Sequence, residues 1–454
     1  MQQVSVVGGG LAGSEAAWQL ARRGLKVRLF EMRPGTPTGA HLGGDLAELV
    51  CSNSLGSSQP DRAAGVLNAE LRRMGSLLLE CAEETALPAG RALAVDRAGF
   101  ARRVTERICS EPLITLVREE VTAIPDGPAV ICSGPLTSPA LSAAIQDLTG
   151  EEHLFFFDAV APIVLAETIN MQAAYRGSRY SCDEEEGDYL NCPMNREQYD
   201  AFLAALLAAE RIPLRAFEEI FNAPGGVKAG AQHFFEGCLP VEIIASRDRK
   251  ALAFGPLRPI GLHNPHHDGK GDYAVLQLRQ DNLRGDLYNM VGFQTNLTYP
   301  EQKRVFRMIP GLEQAEFVRY GQMHRNTFIA SPRLLAPTLE FRTRPGLFFA
   351  GQITGVEGYL GNIATGLLAG WNAARRAAGA EPLTLPETTM LGALCKYVTQ
   401  ADLQDFQPMK ANFGIMPRLG GDRLPRQARG GAYALRARQA LEEFFIGVDA
   451  GVLT

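Results

Sequence analysis

The chain has 454 residues, enough for two or three domains with full cores. Apolar residues make up 46 % and charged residues 21 %, which excludes a disordered or fibrous chain and suits a globular enzyme. A net charge of −5 excludes a generally basic surface, so any polyanionic partner must be met by a local patch.

No charged leader precedes an apolar stretch, and no apolar run approaches the ~18 residues of a membrane span. The expectation is a cytoplasmic protein without a membrane partner. Residues 2–7 read as a short buried strand, followed at once by Gly8-x-Gly10-x-x-Gly13. Ser14–Arg23 has helical composition until Gly24 stops it, and Lys26–Glu31 is a second strand ending in an acid 23 residues after Gly8. Strand, glycine turn, helix, strand and acid in this register form the fingerprint of a dinucleotide site. Gly8 makes the tight turn, Gly10 lets the backbone approach the pyrophosphate, Gly13 lets helix and strand pack, and Glu31 accepts from the ribose. The expected contacts are Gly8, Gly9, Gly10, Leu11, Ala12 and Gly13, with Glu31 and Arg33 beyond the second strand.

Further along, Ala129-Val-Ile-Cys-Ser-Gly134-Pro135 is a strand running into a glycine crossing. Leu154–Phe157 and Tyr273–Leu278 are strand-like, with a helix near Arg196–Glu210 between them. Leu347-Phe-Phe-Ala-Gly351-Gln352 is a late strand ending in a polar turn, and a small-residue helix follows over 355–374. Two-part FAD sites of the glutathione-reductase type end this way, the helix aiming its positive end at the flavin pyrimidine. FAD is therefore expected rather than NAD as the resident cofactor, with Gly351, Gln352, Gly358, Tyr359 and Asn362 as further contacts. Pro382 and Pro386 mark the join to helical segments at Glu387–Val398 and Ala432–Phe445. The expected fold is α/β: a Rossmann-like FAD domain (1–150 and 330–380), split by a mixed α/β insertion (151–329), with C-terminal helices over 381–454.

Several blocks together resemble one family. They include Glu31-Met-Arg-Pro34, Glu48-Leu-Val-Cys-Ser-Asn-Ser-Leu55, Phe235-Glu-Gly-Cys238-Leu-Pro-Val-Glu242, Gln277-Leu-Arg-Gln-Asp-Asn282 and His324-Arg-Asn-Thr-Phe-Ile329. From the first strand to about residue 440 the chain is similar to the folate- and FAD-dependent tRNA methyltransferases (TrmFO) that make 5-methyluridine at position 54 of the T-loop. A related enzyme of the wobble uridine shares the glycine motifs but is longer. The resemblance implies NAD(P)H as reductant, FAD as cofactor, 5,10-methylenetetrahydrofolate as carbon donor and tRNA as substrate. It also matches Cys51 and Cys238 to the family's two functional cysteines, the candidate catalytic residues. By position in their block, Arg325 and Asn326 are candidates for substrate contacts. No protein partner is implied.

The chemistry itself asks for such thiols. Uracil C5 is a poor nucleophile until a thiolate adds at C6, and a base must afterwards remove the C5 proton. Which cysteine does which is left open; a helix starting at the Cys51-Ser-Asn-Ser loop would help by lowering the thiol pKa. The eight cysteines contain no C-x-x-C pair, which argues against a disulfide framework, structural zinc and a plain flavin disulfide reductase. Cys81, Cys109, Cys132 and Cys395 lie in apolar runs and read as buried and inert; Cys182 and Cys192 flank an acidic block and receive no role. His263-Asn-Pro-His266-His267 reads as a solvated loop, so no metal is expected, and His41 and His324 read equally as site or structural residues. For RNA, Lys410, Arg418, Arg423, Arg426, Arg429, Arg436 and Arg438 oppose Asp422 alone, with Phe413 and Tyr433 available for stacking. A second basic group is Lys303, Arg304, Arg307, Arg319 and Arg325. The reading from another class is a tRNA-binding protein that keeps FAD for structure alone.

Overall fold

A computed structural model of the chain describes residues 2–150, 154–180, 187–212, 239–266, 271–404, 406–420 and 424–449. Cys182, Cys238, His267, Asp422 and Arg423 lie outside these residues, as do the side chains of His324, Arg325 and Arg426. Five parallel strands form the first sheet, in the order Leu347–Phe349, Ala129–Ile131, Gln3–Val7, Lys26–Phe30, Ile114–Val117. Parallel strands are covered on both faces, which is why Ala129–Ile131 and Leu347–Phe349 are continuous apolar runs, buried at every residue.

The first helix, Leu11–Ala21, begins three residues before the expected Ser14, because Leu11, Ala12 and Gly13 form its first turn with Gly10 as N-cap. It packs lengthwise on the helix Tyr359–Ala377. A methyl group on Gly366 would overlap the Ala12 carbonyl, and one on Gly370 would stand 2.8 Å from the Ala16 oxygen. The small-residue composition of this late helix is thus a condition of backbone approach, and the approach brings Gly351 and Asn362 to the glycine turn.

The second sheet is antiparallel, in the order Tyr175–Arg176, Tyr189–Met194, Ala274–Gln280, Leu287–Met290, Ile163–Leu165, Phe317–Arg319. In Ala274–Gln280 the side chains alternate between the faces. Ala274, Leu276 and Leu278 join an apolar core with Tyr199, Phe202 and Phe293. The opposite face carries Gln277 and Arg279, both buried, and this polar face looks toward the loop at Cys51. Helix Arg196–Ala208 covers the apolar face and opens with a capping box, Asn195 with Gln198. Leu154–Ala159 pairs with Met323–Phe328, and Ser54–Ser57 with Ala92–Val95. At the C-terminus, helix Met390–Gln400 is followed by Arg426–Asp449, longer at both ends than expected. No described helix is long and apolar enough to cross a membrane.

Candidate active site between the two sheets

The turn after the first strand lines a groove of about 1000 Å³ of empty space. Gly8 has φ 101°, a left-handed backbone in which its N–H reaches the Phe30 carbonyl at 2.8 Å. Gly9 donates to Glu31 Oε2 at 2.9 Å, while the Arg33 N–H and Nε both donate to Glu31 Oε1 at 2.9 Å. Arg33 also reaches Glu48 Oε2 at 3.0 Å. Burial alone would raise the Glu31 carboxyl, but the Arg33 hydrogen bonds and charge hold it below the usual carboxylate range. Glu31, expected to accept from a ribose, therefore already accepts from the turn it follows; it still lines the groove.

These residues fit a dinucleotide. Around Gly10, space is open for at least 4 Å where a side chain would start, and the helix it opens has no side-chain cap. Its first-turn N–H groups and dipole are thus available to a pyrophosphate. Across the groove the helix Tyr359–Ala377 also lacks a side-chain cap, and its N-cap Gly358 has φ 82°. Asn362 is buried there, and among the described residues its Oδ1 has no hydrogen-bond partner, an acceptor that a flavin or ribityl N–H or O–H would satisfy. Gly351 donates to Thr365 Oγ1 at 3.0 Å, and Gln352 Nε2 to Glu357 Oε1 at 2.6 Å.

A second cavity, about 1430 Å³, continues from this groove; the two share Val50, Pro135, Leu136, Gln352, Tyr359 and Asn362. Cys51 lines it, partly exposed. The helix considered for the Cys51 loop is not formed: the residues after it turn into the strand Ser54–Ser57. The Cys51 and Ser52 amides donate instead to the Tyr359 hydroxyl oxygen, at 2.9 and 3.0 Å. Burial pushes the Tyr359 phenol up, so it remains neutral.

Three charged residues missed in the sequence surround the loop. Arg279 Nε donates to Asn53 Oδ1 at 2.8 Å and its Nη2 to Ser52 Oγ at 2.6 Å. Asn53, fully buried, returns to the Gln280 carbonyl at 2.9 Å. Arg97 forms a two-pronged ion pair with Asp281 (2.9 and 3.2 Å) and holds the Leu49 carbonyl. For Arg279 the available signal was its alternation, with Gln277, against Leu276 and Leu278, which puts both on the polar face of the strand.

Asn326 lies buried in the second cavity's wall. His41 lines the groove, with Nδ1 at 2.6 Å from Thr38 Oγ1. Among the other thiols, burial pushes Cys81, Cys192 and Cys395 up to about 12, and Cys132 higher still. Cys109 departs from the buried reading, being exposed at the end of its helix. Both basic groups are partly engaged within the molecule. Phe413 and Tyr433 stack on each other at 4.9 Å, and Arg436 covers Tyr433 while donating to the Pro417 and Arg418 carbonyls. Arg304 pairs with Glu301, and Arg307 holds the Ala315 carbonyl. Lys410, by contrast, lines the second cavity.

A glycine-turn groove on a parallel sheet, opening into a thiol-lined cavity beneath an antiparallel sheet, defines a two-module dinucleotide-binding protein. Comparison with known proteins agrees. The family described as Glucose inhibited division protein A (GIDA) matches residues 3–381. The chain is 53 % identical over 442 residues to "Methylenetetrahydrofolate--tRNA-(uracil-5-)-methyltransferase TrmFO" of Heliobacterium modesticaldum, covering 97 % of each. It is 54 % identical to the protein of that name from Pelotomaculum thermopropionicum, covering 97 % of this chain and 98 % of that one. Its fold matches Aquifex aeolicus GidA with a TM-score of 0.66 at 18 % identity, over 97 % of this chain and 73 % of that one. The chain belongs to the GIDA family and, within it, to the TrmFO methyltransferases.

Proposed function

We propose that the protein forms 5-methyluridine at position 54 of the tRNA T-loop, with 5,10-methylenetetrahydrofolate as carbon donor and FAD, reduced by NAD(P)H, as cofactor. The observation that carries this reading is the wall shared by the groove and the second cavity. Tyr359 belongs to both, and its hydroxyl holds the amide of the thiol-bearing residue Cys51.

Gly8 to Gly13 would hold the cofactor's pyrophosphate on the first helix's dipole, with Glu31 and Arg33 at its adenosine end. Gly351, Gln352, Gly358, Tyr359 and Asn362 would hold its other end, and Asn362 Oδ1 would find there the donor it lacks. When bound there, FAD would supply the reducing equivalents that convert the folate's one-carbon unit to a methyl group. Cys51 then stands at the cavity where an extruded uracil meets the cofactor, extrusion being required for chemistry on a stacked base. A thiolate adds at C6, making C5 nucleophilic; once the carbon is attached a second group takes the C5 proton and the C6–S bond breaks, which releases the thiolate, and Cys51 and Cys238 divide these roles. Arg325 and Asn326 are further candidate substrate contacts, Asn326 from the cavity wall.

The test uses purified flavoprotein, a T-loop RNA, NAD(P)H and folate labelled in its methylene carbon. Label is expected in 5-methyluridine and is expected to be lost in Cys51→Ala and in Cys238→Ala. Bound flavin and bound RNA without label transfer would exclude the reaction and leave a binding protein that keeps FAD for structure.

A further inference from the structure

The polar face of the second sheet carries a guanidinium without a counter-charge and an amide donor without an acceptor among the described residues. Arg279 is 7 % exposed, yet its partners are neutral: Asn53, Ser52 and the neighbouring Tyr189 phenol. Asp281, the nearby acid, is taken by Arg97. Among the described residues no carboxylate forms an ion pair with Arg279 or with Arg319, which donates only to the Ala40 carbonyl at 3.5 Å. Arg97 and Arg319 repel each other electrostatically, and burial lowers Arg279 and Arg319 from the usual guanidinium range, as expected where counter-charge is short.

A second, independent observation comes from the next strand. Asn289 is the cross-strand partner of Arg279, so the two side chains share a sheet face. It is 3 % exposed, and its Nδ2 has no hydrogen-bond partner among the described residues. A buried guanidinium with hydrogen bonds but no counter-charge, beside a buried amide N–H₂ with no acceptor, costs free energy unless a ligand supplies anionic oxygens. Arg279 also lines the cavity that Cys51 lines.

We propose that Arg279, in the wall of the thiol cavity, and its buried cross-strand neighbour Asn289 behind it, with Arg319 adding charge nearby, form an anion site that is filled by an anionic oxygen of a co-substrate. Resting on the methyltransferase reading, the source is a phosphate flanking the target uridine or a glutamyl carboxylate of the folate. The Arg279 guanidinium and the Asn289 N–H₂ are both donors, and a guanidinium suits either oxygen pair.

The first measurement needs neither RNA nor turnover. Cys51 of the flavoprotein is alkylated with anionic iodoacetate and with neutral iodoacetamide, and its modification alone is followed by peptide mass spectrometry. Wild type is expected to favour iodoacetate, and inorganic phosphate to suppress that preference. Arg279→Gln should reduce the iodoacetate-to-iodoacetamide ratio by roughly 3- to 10-fold, the scale of one partly screened charge within the cavity. Arg279→Lys should keep most of it. Because Arg279→Gln also loosens the Cys51 loop, Arg319→Gln serves as a second variant that leaves the Ser52 and Asn53 bonds in place; it should move the ratio in the same direction.

Two further arms identify the source. If it is RNA phosphate, the salt dependence of T-loop RNA binding weakens by about one unit of slope in Arg279→Gln. If it is folate, the slope stays and the folate KM rises about tenfold for one lost charge-assisted contact. An alkylation ratio unchanged in both Arg279→Gln and Arg319→Gln would overturn the anion site. A ratio that falls in a protein that never transfers label would instead uphold the site and remove the methyltransferase reading.

Discussion

Tyr359 connects the groove to the thiol loop through a single oxygen atom. Its hydroxyl accepts both loop amides, and replacing it by Phe leaves Cys51 N–H and Ser52 N–H without that acceptor. Such a loss costs about 1–3 kcal/mol. Tyr359→Phe should therefore lower thermal stability modestly, retain flavin, and reduce label transfer roughly 10- to 100-fold, because a reacting group displaced by ~1 Å loses that much. Unchanged turnover, measured beside flavin content, would show that the amides find other partners. At this scale the sequence was partly legible. The glycine turn and Glu31 follow from local spacing, since each acts on its near neighbours, whereas Cys51 was singled out by the resemblance of its block. Tyr359 was legible only as a cofactor contact; its hold on Cys51 spans 308 residues and leaves no local trace. Arg279 was hidden for the same reason, as its partners Ser52 and Asn53 lie on another module.

Secondary-structure elements meet here by close approach and by buried caps. The helices Leu11–Ala21 and Tyr359–Ala377 touch backbone to backbone at Gly366, so Gly366→Ala must push them apart at the Ala12 carbonyl. Overpacking of this kind costs about 1–3 kcal/mol or more. Since the same pair presents Gly10 and Asn362 to the groove, the variant is expected to purify with less flavin, read from its visible absorbance. A second contact is electrostatic: Glu70 on Ala63–Arg73 accepts the Met390 and Leu391 amides at 2.7 and 2.9 Å, capping Met390–Gln400 from outside. Burial raises its carboxyl to about 7. A raised folded-state pKa means that the folded protein holds the proton more tightly than the unfolded chain. Glu70 therefore contributes stability below its unfolded pKa and loses it as pH rises to about 7, a change on the order of 3 kcal/mol. Denaturant titrations between pH 4.5 and 8 should show Glu70→Gln with a flatter profile than wild type; identical slopes would refute the assignment. Element types were readable because apolar periodicity is local, as in Gln3–Val7 and Lys26–Phe30. The Glu70 cap was not, because nothing near Met390 in sequence supplies it, and the Cys51 loop turns into a strand because it pairs with distant Ala92–Val95.

Across the whole molecule, the two sheets meet through a polar seam rather than an apolar core. Arg97 pairs with Asp281, Asn53 donates to the Gln280 carbonyl, and the Leu283 amide donates to Asp96 Oδ2 at 2.7 Å. The apolar clusters lie on either side of it, two packed on the parallel sheet and one around the antiparallel sheet. Polar seams between modules permit independent movement unless buried charge pairs tie them. Arg97–Asp281 is such a tie, with side chains 13 % and 5 % exposed. Breaking it from one side leaves an unpaired buried charge and costs about 3–5 kcal/mol, whereas removing both partners costs much less. Arg97→Met should therefore split chemical unfolding, followed by flavin release and by far-UV signal, into two transitions. Asp281→Leu alone should do the same, and the double variant should bring the transitions back together. The double-mutant cycle should give a coupling above about 1 kcal/mol. Turnover should fall in each single variant, since Cys51 rides on one module and Arg279 on the other. A single coincident transition in Arg97→Met would locate the tie elsewhere, in the Asn53 and Arg279 bonds. The reaction would then depend on the loop's own grip on the second sheet rather than on the ion pair beside it.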